Sequence, residues 1–464
     1  MMPLDLFDFS KTQIFDTNSE IKLHPKNTFD HIMHSQAIVE ELLAQGINKA
    51  GLVSGGGLHN LIAERVLLSL EMDVVWVPLR MVQQNQLNNI AKLTKLQALI
   101  VWNKVLLYSC VNQVNLPVID ISNHNEFTNE EVHFYEKAEY KKSSNIIFLS
   151  SGSTGNPLPK KHSTVRFEEN VLAASEHYQF EGDFHVLSLL DESYAFERCY
   201  QTLFFHEGFA FTYADRSKSI QQNLIESQAN LFTITPSLLH QLVLDLESSK
   251  HIHECIAICS GAALDTALQR RAEACGIEVL TMYGASDCLM ISGNTQHNKC
   301  NGSVGQLIEE DHVRLQEGKV EYKRKDASGL MWYALEDLGT LDKNGFLHLH
   351  GRVSETIKTA EGLFVHLDSL EKHLGNIVRG CQCIIYPNPQ KGLDLVCIAG
   401  SGNISVDKGA LIAWNNEHER HEKLTRLAQI TRADFNTFIK NHNKLNRRKL
   451  FADLEEQMRP LYEK

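Results

Sequence analysis

Residues 145–157 read NIIFLSSGSTGNP. Asn145 leads four apolar residues, Ile146 to Leu149, directly into Ser-Ser-Gly-Ser-Thr-Gly-Asn-Pro. A short apolar run bounded by turn residues is the pattern of a buried strand. The eight residues after it carry hydroxyls and almost no bulk. Such a loop offers closely spaced backbone N–H groups, and a polyphosphate could approach its main chain. It is not a Walker A loop, because GxxxxGK[ST] is absent. By composition alone it reads equally as a tight surface turn or as a phosphate grip. A second glycine loop, SGGGLHN at 54–60, also follows an apolar run. That one reads as a plain turn.

The rhythm around the loop is that of an α/β protein. SQAIVEELLAQG, NLIAERVLLSLEM and QLNNIAKLTKL have helical periodicity, while AGLVS, DVVWVPL, ALIVW and LPVIDIS read as buried strands. Beyond the loop, HVLSLL, FAFTYA, NLFTITP, CIAICSG and EVLTMYG are strand-like. The segments SIQQNLIESQ, SLLHQLVLDL and DTALQRRAEACG separate them as helices. Strands interleaved with helices imply parallel or mixed sheets covered on both faces, with ligands at the carboxyl ends of the strands. From about residue 320 the elements shorten (KVEYKR, LMWYAL, FLHLHGR), and a segment with its own strands and helices follows Arg352. The expected architecture is a large α/β domain over 1–352 and a small α+β domain over 353–464.

The chain of 464 residues is too long for a single compact core. A net charge of -12 argues against a broad nucleic-acid surface. The ten cysteines form no CxxC, so neither a zinc ribbon nor a disulfide framework is encoded. They are expected to be small buried residues in a reducing cytoplasm. No stretch approaches the ~20 apolar residues of a membrane span, and the N-terminus lacks the order of a signal peptide. His251 and His253 form an HxH, but no further spacing around it points to a metal. A soluble, cytoplasmic protein is expected.

Taken in order, SSGSTGNP (150–157), SGAAL (260–264), YGASD (283–287), EDLGTLDKNGFLHLHGR (336–352), IKTAEG (357–362) and NKLNRRKL (443–450) resemble one set of motifs. They are similar to the core motifs of the adenylate-forming acyl-activating enzymes, which include acyl- and aryl-CoA synthetases and the adenylation domains of peptide synthetases. The resemblance runs from about residue 50 to 450. It implies a reaction in two steps. ATP and a carboxylate give an acyl-adenylate and pyrophosphate, and a thiol, either CoA or a carrier-protein phosphopantetheine, then takes the acyl group. A carboxylate is a poor electrophile, and AMP converts its oxygen into a good leaving group. The small domain is implied to be mobile.

The resemblance assigns residues one by one. Ser150, Ser151, Gly152, Ser153, Thr154 and Gly155 stand where the family grips the β- and γ-phosphates. The family usually places a lysine after the proline, whereas here Leu158 and Pro159 follow Pro157, leaving Lys160 or Lys161 to supply the charge. Gly261, Ala262 and Ala263 match the turn beside adenine, although simple close packing would use the same residues. Tyr283 and Gly284 match the adenine-stacking strand end, where a tyrosine could also be plain core. Ser286 stands at the threonine that meets the α-phosphate, and Asp287 at the glutamate that holds Mg²⁺. Asp337 fits the ribose-binding aspartate, with Glu336 replacing the preceding glycine, and Arg352 would add a ribose or phosphate contact. Ser354 falls at the hinge. Lys444, preceded by Asn443 in place of a glycine, fits the lysine that bridges carboxylate and α-phosphate; out of context it would be solvated surface. Lys358 and Gly362 match the loop presented to the thiol.

The segment SLLDESYAFERCYQTLFFHEG (188–208) and Ala285 are implied to line the acyl pocket. Tyr194, Phe196 and Phe204 favour an aryl or fatty acid. Asp191, with Ser193, could instead echo the aspartate that holds an amino-acid ammonium, which would make the protein an amino-acid:carrier ligase. A third reading is a degenerate member that binds nucleotide without turnover. The implied partners are a small carboxylate and an acyl carrier protein.

Overall fold

The computed structural model describes residues 14–16, 21–22, 37–121, 144–151, 157–249, 252–326, 329–352, 356–358, 364–378, 381–388, 392–399, 408–418, 423–431, 434–435, 439–440, 444–445 and 447–461. They fall into two compact units. The first holds the described residues up to Ser150, then Pro157–His312 and Leu341–His348. The second holds Ser151, Val313–Thr340 and the described residues from Leu349 onward.

In the first unit, two short strands come first, β1 (Ile14–Asp16) and β2 (Ile21–Lys22). Six more follow: β3 (Lys49–Val53), β4 (Asp73–Val77), β5 (Ala98–Val101), β6 (Val118–Asp120), β7 (Asn145–Ser151) and β8 (Pro157–Ser163). These six form one sheet in the order β6-β5-β3-β4-β7-β8. The pairings β3–β4, β3–β5, β4–β7 and β5–β6 are parallel. Parallel neighbours need long crossovers, and the helices Leu58–Ser69, Leu87–Thr94 and Lys104–Val111 provide them. Strands β3, β4 and β5 are apolar almost throughout because helices cover both faces.

The second sheet of this unit has nine strands. It adds β9 (His185–Ser188), β10 (Ala210–Tyr213), β11 (Leu231–Ile234), β12 (Cys255–Cys259), β13 (Ile277–Ala285), β14 (Leu289–Gly293) and β15 (Gln306–Leu307). Its order is β15-β14-β13-β12-β11-β9-β10-β1-β2. The run from β13 to β1 is parallel, and β14, β15 and β2 are antiparallel additions, so the sheet is mixed.

The helix Ala195–His206 is buried on nearly every side. Its aromatic residues Tyr200, Phe204 and Phe205 sit in the main core with Phe148, Phe167, Phe211 and Trp76. A helix so enclosed must pair its polar groups internally. Arg198, 0% exposed, donates from Nε to Glu64 Oε2 at 2.9 Å, and its Nη2 makes a still shorter bond to the same oxygen. Trp76 Nε1 donates to Glu64 Oε1 at 2.8 Å. Burial opposes ionisation of Glu64, but the charge and hydrogen bonds of Arg198 outweigh it and hold the carboxyl below its usual range.

An antiparallel sheet, β16 (Val313–Gln316), β17 (Lys319–Asp326), β18 (Gly329–Leu341) and β19 (Leu347–Arg352), follows in sequence order. Its residues belong to the second unit except Leu341–His348, the turn from the end of β18 to the start of β19, which belongs to the first. The hairpin β20 (Thr356–Lys358) and β21 (Phe364–His366) follows. A further sheet, β22 (Cys381–Pro387), β23 (Leu393–Ala399), β24 (Leu424–Thr431) and β27 (Arg459–Pro460), packs around Leu374, Leu395, Leu411 and Trp414. The small pair β25 (Ile439–Lys440) and β26 (Lys444–Leu445) completes the set. Among the described residues no helix is long and apolar enough to cross a membrane.

Candidate functional site

The sharpest convergence of the sequence-derived residues lies at the turn that joins β13 to β14. Ala285 pairs with Leu289, and Cys288 donates its backbone N–H to the Ala285 carbonyl at 3.0 Å. That hydrogen bond closes a β-turn with Ser286 and Asp287 as its two central residues. Both are therefore carried on the tip, half-exposed, at the carboxyl end of a parallel strand. Gly284, just before them, sits at an irregularity of the β13–β14 register. A Cβ there would drive into the Leu289 carbonyl, so the turn requires glycine. Tyr283 is buried on the same strand at 8% exposure.

Strand β8 brings two side chains to this turn. Lys160 Nζ lies 2.7 Å from Asp287 Oδ1. His162 Nε2 lies 2.7 Å from the Ser286 carbonyl oxygen, close enough for the ring N–H to donate to it. Lys161, the next residue along, stands 3.8 Å from Asp73 Oδ2. Successive side chains of a strand point to opposite faces, so only one of the two lysines reaches the turn. Ser163 then caps the helix Thr164–Tyr178 by accepting from Arg166 N at 3.2 Å, which fixes where β8 ends.

The neighbouring strand β12 ends at the exposed turn Gly261-Ala262-Ala263. Gly261 has φ of 90°, a left-handed value that suits glycine. Since β12 and β13 are parallel, with Cys259 opposite Thr281, this turn and Tyr283 lie at adjacent strand ends. Ser150 is placed near the end of β7, and its hydroxyl donates to the Leu158 carbonyl at 3.2 Å. Ser151 closes β7. Gly152, Ser153, Thr154 and Gly155 lie outside the described residues.

The segment 188–208, which the resemblance implies to line an acyl pocket, contains a buried acid that sequence reasoning passed over. Glu192, 4% exposed, accepts from the Gly55 backbone N–H at 2.7 Å and from Asn60 Nδ2 at 3.0 Å. Arg216 Nη2 stands 4.0 Å away. Burial, reinforced by the nearby charge of Asp191, pushes the Glu192 carboxyl above its usual range. The glycine loop at 54–57 is thus more than a plain turn, because it docks on this acid. The signal was an acid inside an otherwise apolar segment, but its partner is 137 positions away.

Asp191 Oδ1 is already engaged, accepting from Ser193 N at 2.9 Å and Ser193 Oγ at 2.6 Å. Tyr194 is 39% exposed, with the Arg80 guanidinium 5.4 Å from its ring centroid. Phe196 packs partly buried against Tyr200, and Phe204 is 1% exposed inside the core. Glu197, one turn along, accepts from Ser188, Gln201 and Thr233. Burial pushes its carboxyl up to about 7.

In the second unit, Arg352 Nε lies 3.7 Å from Asp337 Oδ1, with Arg352 largely exposed. Lys444 starts β26 opposite Lys440. Lys358 ends β20 opposite Phe364. The side chains of Lys444 and Lys358 lie outside the described residues, as do Ser354 and Gly362.

A hydroxyl and a carboxylate on a strand-end turn, with an ammonium reaching them from β8, can hold a metal–phosphate group. A hard cation such as Mg²⁺ takes one or two carboxylates plus phosphate oxygens, and Asp287 with Ser286 fits that donor set.

Solved structures share the fold over nearly the whole chain. O-succinylbenzoate coenzyme A synthetase (MenE) from Bacillus subtilis, in complex with ATP and magnesium ion, superposes with a TM-score of 0.73 at 14% identity, covering 97% of this chain and 98% of that one. ATP-bound MatB from Rhodopseudomonas palustris gives 0.75 at 13% identity, covering 98% and 99%. The anthranilate CoA ligase AuaEII, in complex with anthranoyl-AMP, gives 0.71 at 14%, covering 98% and 97%. No curated protein matches the chain in sequence. The family model described as AMP-binding enzyme, however, matches residues 69–335, more than half of the 464 residues and including the turn at 283–287. The chain therefore belongs to the AMP-binding, adenylate-forming enzyme family.

Proposed function

We propose that this protein is an acid–thiol ligase that activates a carboxylate with ATP. In the first half-reaction a carboxylate oxygen attacks the α-phosphorus, the bond from that phosphorus to the β-bridging oxygen breaks, and pyrophosphate leaves. In the second, a thiolate sulfur attacks the acyl carbon and AMP leaves with the electron pair. CoA and a carrier-protein phosphopantetheine are the two acceptors this chemistry suits.

The observation that carries this reading is the pairing of Lys160, from β8, with Asp287 beside Ser286 on one half-exposed turn of a family member. We assign Ser286 to the α-phosphate and Asp287 to Mg²⁺. When bound, the metal neutralises phosphate charge and makes pyrophosphate a better leaving group. Lys160 takes the place of the lysine absent after Pro157. Its ammonium now neutralises Asp287, and in the reaction it stabilises negative charge that grows on the phosphates. Lys161, directed at Asp73, is not needed. Tyr283, Gly261 and Ala262 receive the adenine, and Asp337 with Arg352 the ribose. Lys444, on the 353–464 domain, supplies the cation for the adenylation step.

The aromatic side chains Tyr194 and Phe196 support an aryl or fatty acid as substrate. Asp191 supports this choice indirectly, because one of its oxygens already serves Ser193. The test is pyrophosphate release from ATP across a panel of aryl, fatty and amino acids. Release with aryl or fatty acids is expected. Release with amino acids alone would favour an amino-acid:carrier ligase, and silence across the panel would favour a nucleotide binder without turnover.

A further inference from the structure

We infer that Cys300, Asp342 and His348 form a metal site selective for a borderline divalent ion such as zinc. The three residues belong to the first unit, and one donor atom of each lies within 4.8 Å of the others. They are separated in sequence, and the backbone accounts for their meeting. Val304 N donates to the Leu347 carbonyl at 2.8 Å, and Leu347 N donates to the Gly305 carbonyl at 2.8 Å. This pair of bonds seals the 300–305 loop against the start of β19, which puts Cys300 beside His348.

Asp342 and the backbone of Cys300 are each held by their surroundings. Asp342 opens the turn between β18 and β19, where Gly345, at φ 81°, donates to the Asp342 carbonyl at 3.0 Å. Asp342 Oδ1 accepts from Asn344 N at 2.8 Å and Phe346 N at 3.0 Å. Its other oxygen, Oδ2, is left facing His348 Nε2 at 3.3 Å. The Cys300 backbone is fixed at both ends. Its N–H donates to Asn294 Oδ1 at 2.9 Å, and its carbonyl accepts from Ser303 Oγ at 2.8 Å.

The spacing agrees with shared coordination. Zinc holds imidazole nitrogen and carboxylate oxygen at about 2.0–2.2 Å, so two such ligands on a tetrahedron are about 3.3 Å apart. A zinc–sulfur bond of about 2.3 Å sets the thiolate slightly farther out. The donor set also selects the ion. Thiolate and imidazole suit zinc and its neighbours and disfavour magnesium, which demands oxygen ligands. All three side chains are partly exposed, leaving a fourth position for water. Such an ion would clamp the β18–β19 turn to the 300–305 loop, separately from the metal assigned to Asp287.

Cobalt(II) is the probe, because zinc has no visible spectrum. Titrating the metal-free full-length protein with cobalt is expected to give one equivalent bound, with thiolate-to-cobalt charge transfer and tetrahedral d–d absorption that zinc erases. Cys300→Ser is expected to lose the charge-transfer band. His348→Gln is expected to weaken cobalt binding by about tenfold or more. Both variants should keep the metal-free unfolding midpoint of the parent. Absence of the band in the parent protein overturns the site, and so does a band that survives in Cys300→Ser. Should Cys300→Ser fail to fold, His348→Gln decides, and undiminished cobalt affinity there overturns it as well.

Discussion

Lys160 Nζ stands 2.7 Å from Asp287 Oδ1, with the two side chains 24% and 40% exposed. An ion pair this open to solvent contributes little to stability, about 0–1 kcal/mol. Both charges remain available to a ligand.

Lys160→Ala should therefore cut carboxylate-dependent pyrophosphate release by on the order of 10²-fold, the cost of removing one charge-stabilising donor from a reacting centre. The thermal midpoint should barely move. Lys161→Ala, which removes only the 3.8 Å approach to Asp73, is the control and should leave the rate nearly unchanged. If the two variants lose activity equally, the assignment of Lys160 is wrong.

These two lysines also mark where the sequence stops being legible. The motif order pointed to a cation just after the phosphate loop but left both lysines open. Which of them faces the turn follows from strand alternation in β8, and β8 was hidden because Pro157 and Pro159 argue against a strand. Both are accommodated because β8 lies at the end of its sheet's order, where a missing donor leaves no ladder bond broken. The buried helix Ala195–His206 was read only as a pocket segment, since its pairing partner Glu64 is 134 positions distant. By contrast, β9 to β13 were readable because burial between helices makes each a short apolar run. Local pattern reveals elements, whereas the contacts that place Glu192 and Arg198 are non-local.

Gly284 is a test of the turn itself. A methyl group there meets the Leu289 carbonyl oxygen, a backbone atom that cannot rotate away. Gly284→Ala should destabilise the protein by about 1–3 kcal/mol, as overpacking does, and reduce pyrophosphate release by displacing Ser286 and Asp287. Urea unfolding and the release assay measure the two effects. Normal stability and rate together would show that the turn tolerates a side chain.

The Glu64–Arg198 pair, with neither side chain exposed, should behave as a unit. Arg198→Met leaves the buried Glu64 carboxylate without the guanidinium that pairs with it, keeping only the Trp76 hydrogen bond, and should cost about 3–5 kcal/mol. Glu64→Gln together with Arg198→Met removes both charges while keeping an acceptor for Trp76 Nε1. The double variant should recover much of the loss. Chemical denaturation of the two single variants and the double gives the coupling; strictly additive losses would refute it.

Lys444→Ala separates the half-reactions. If Lys444 acts only in adenylation, the variant should form almost no adenylate yet convert a supplied acyl-adenylate to thioester at close to the parent rate. The measurements are ATP–pyrophosphate exchange and single-turnover thioester formation. Equal loss of both steps would remove Lys444 from its assigned role.

Glu197 predicts a pH dependence of stability whose sign runs against the usual behaviour of acids. Burial raises its folded-state value from 4.5 to about 7, while its three hydrogen bonds from Ser188, Thr233 and Gln201 only partly oppose the shift. A raised folded value means that the folded state binds the proton more tightly than the unfolded chain. The stabilisation is therefore complete below about pH 4.5, declines as pH rises, and is gone above about pH 7. Full loss corresponds to on the order of 3 kcal/mol. Glu192, raised by the same burial, adds in the same direction, so the total slope does not isolate Glu197. Glu197→Gln does isolate it, because an amide keeps the shape without titrating. The stability of the parent minus that of the variant should fall between about pH 4.5 and about pH 7, measured by urea unfolding at steps across that range. A difference that stays flat across that window would mean that Glu197 is ionised in the folded protein throughout.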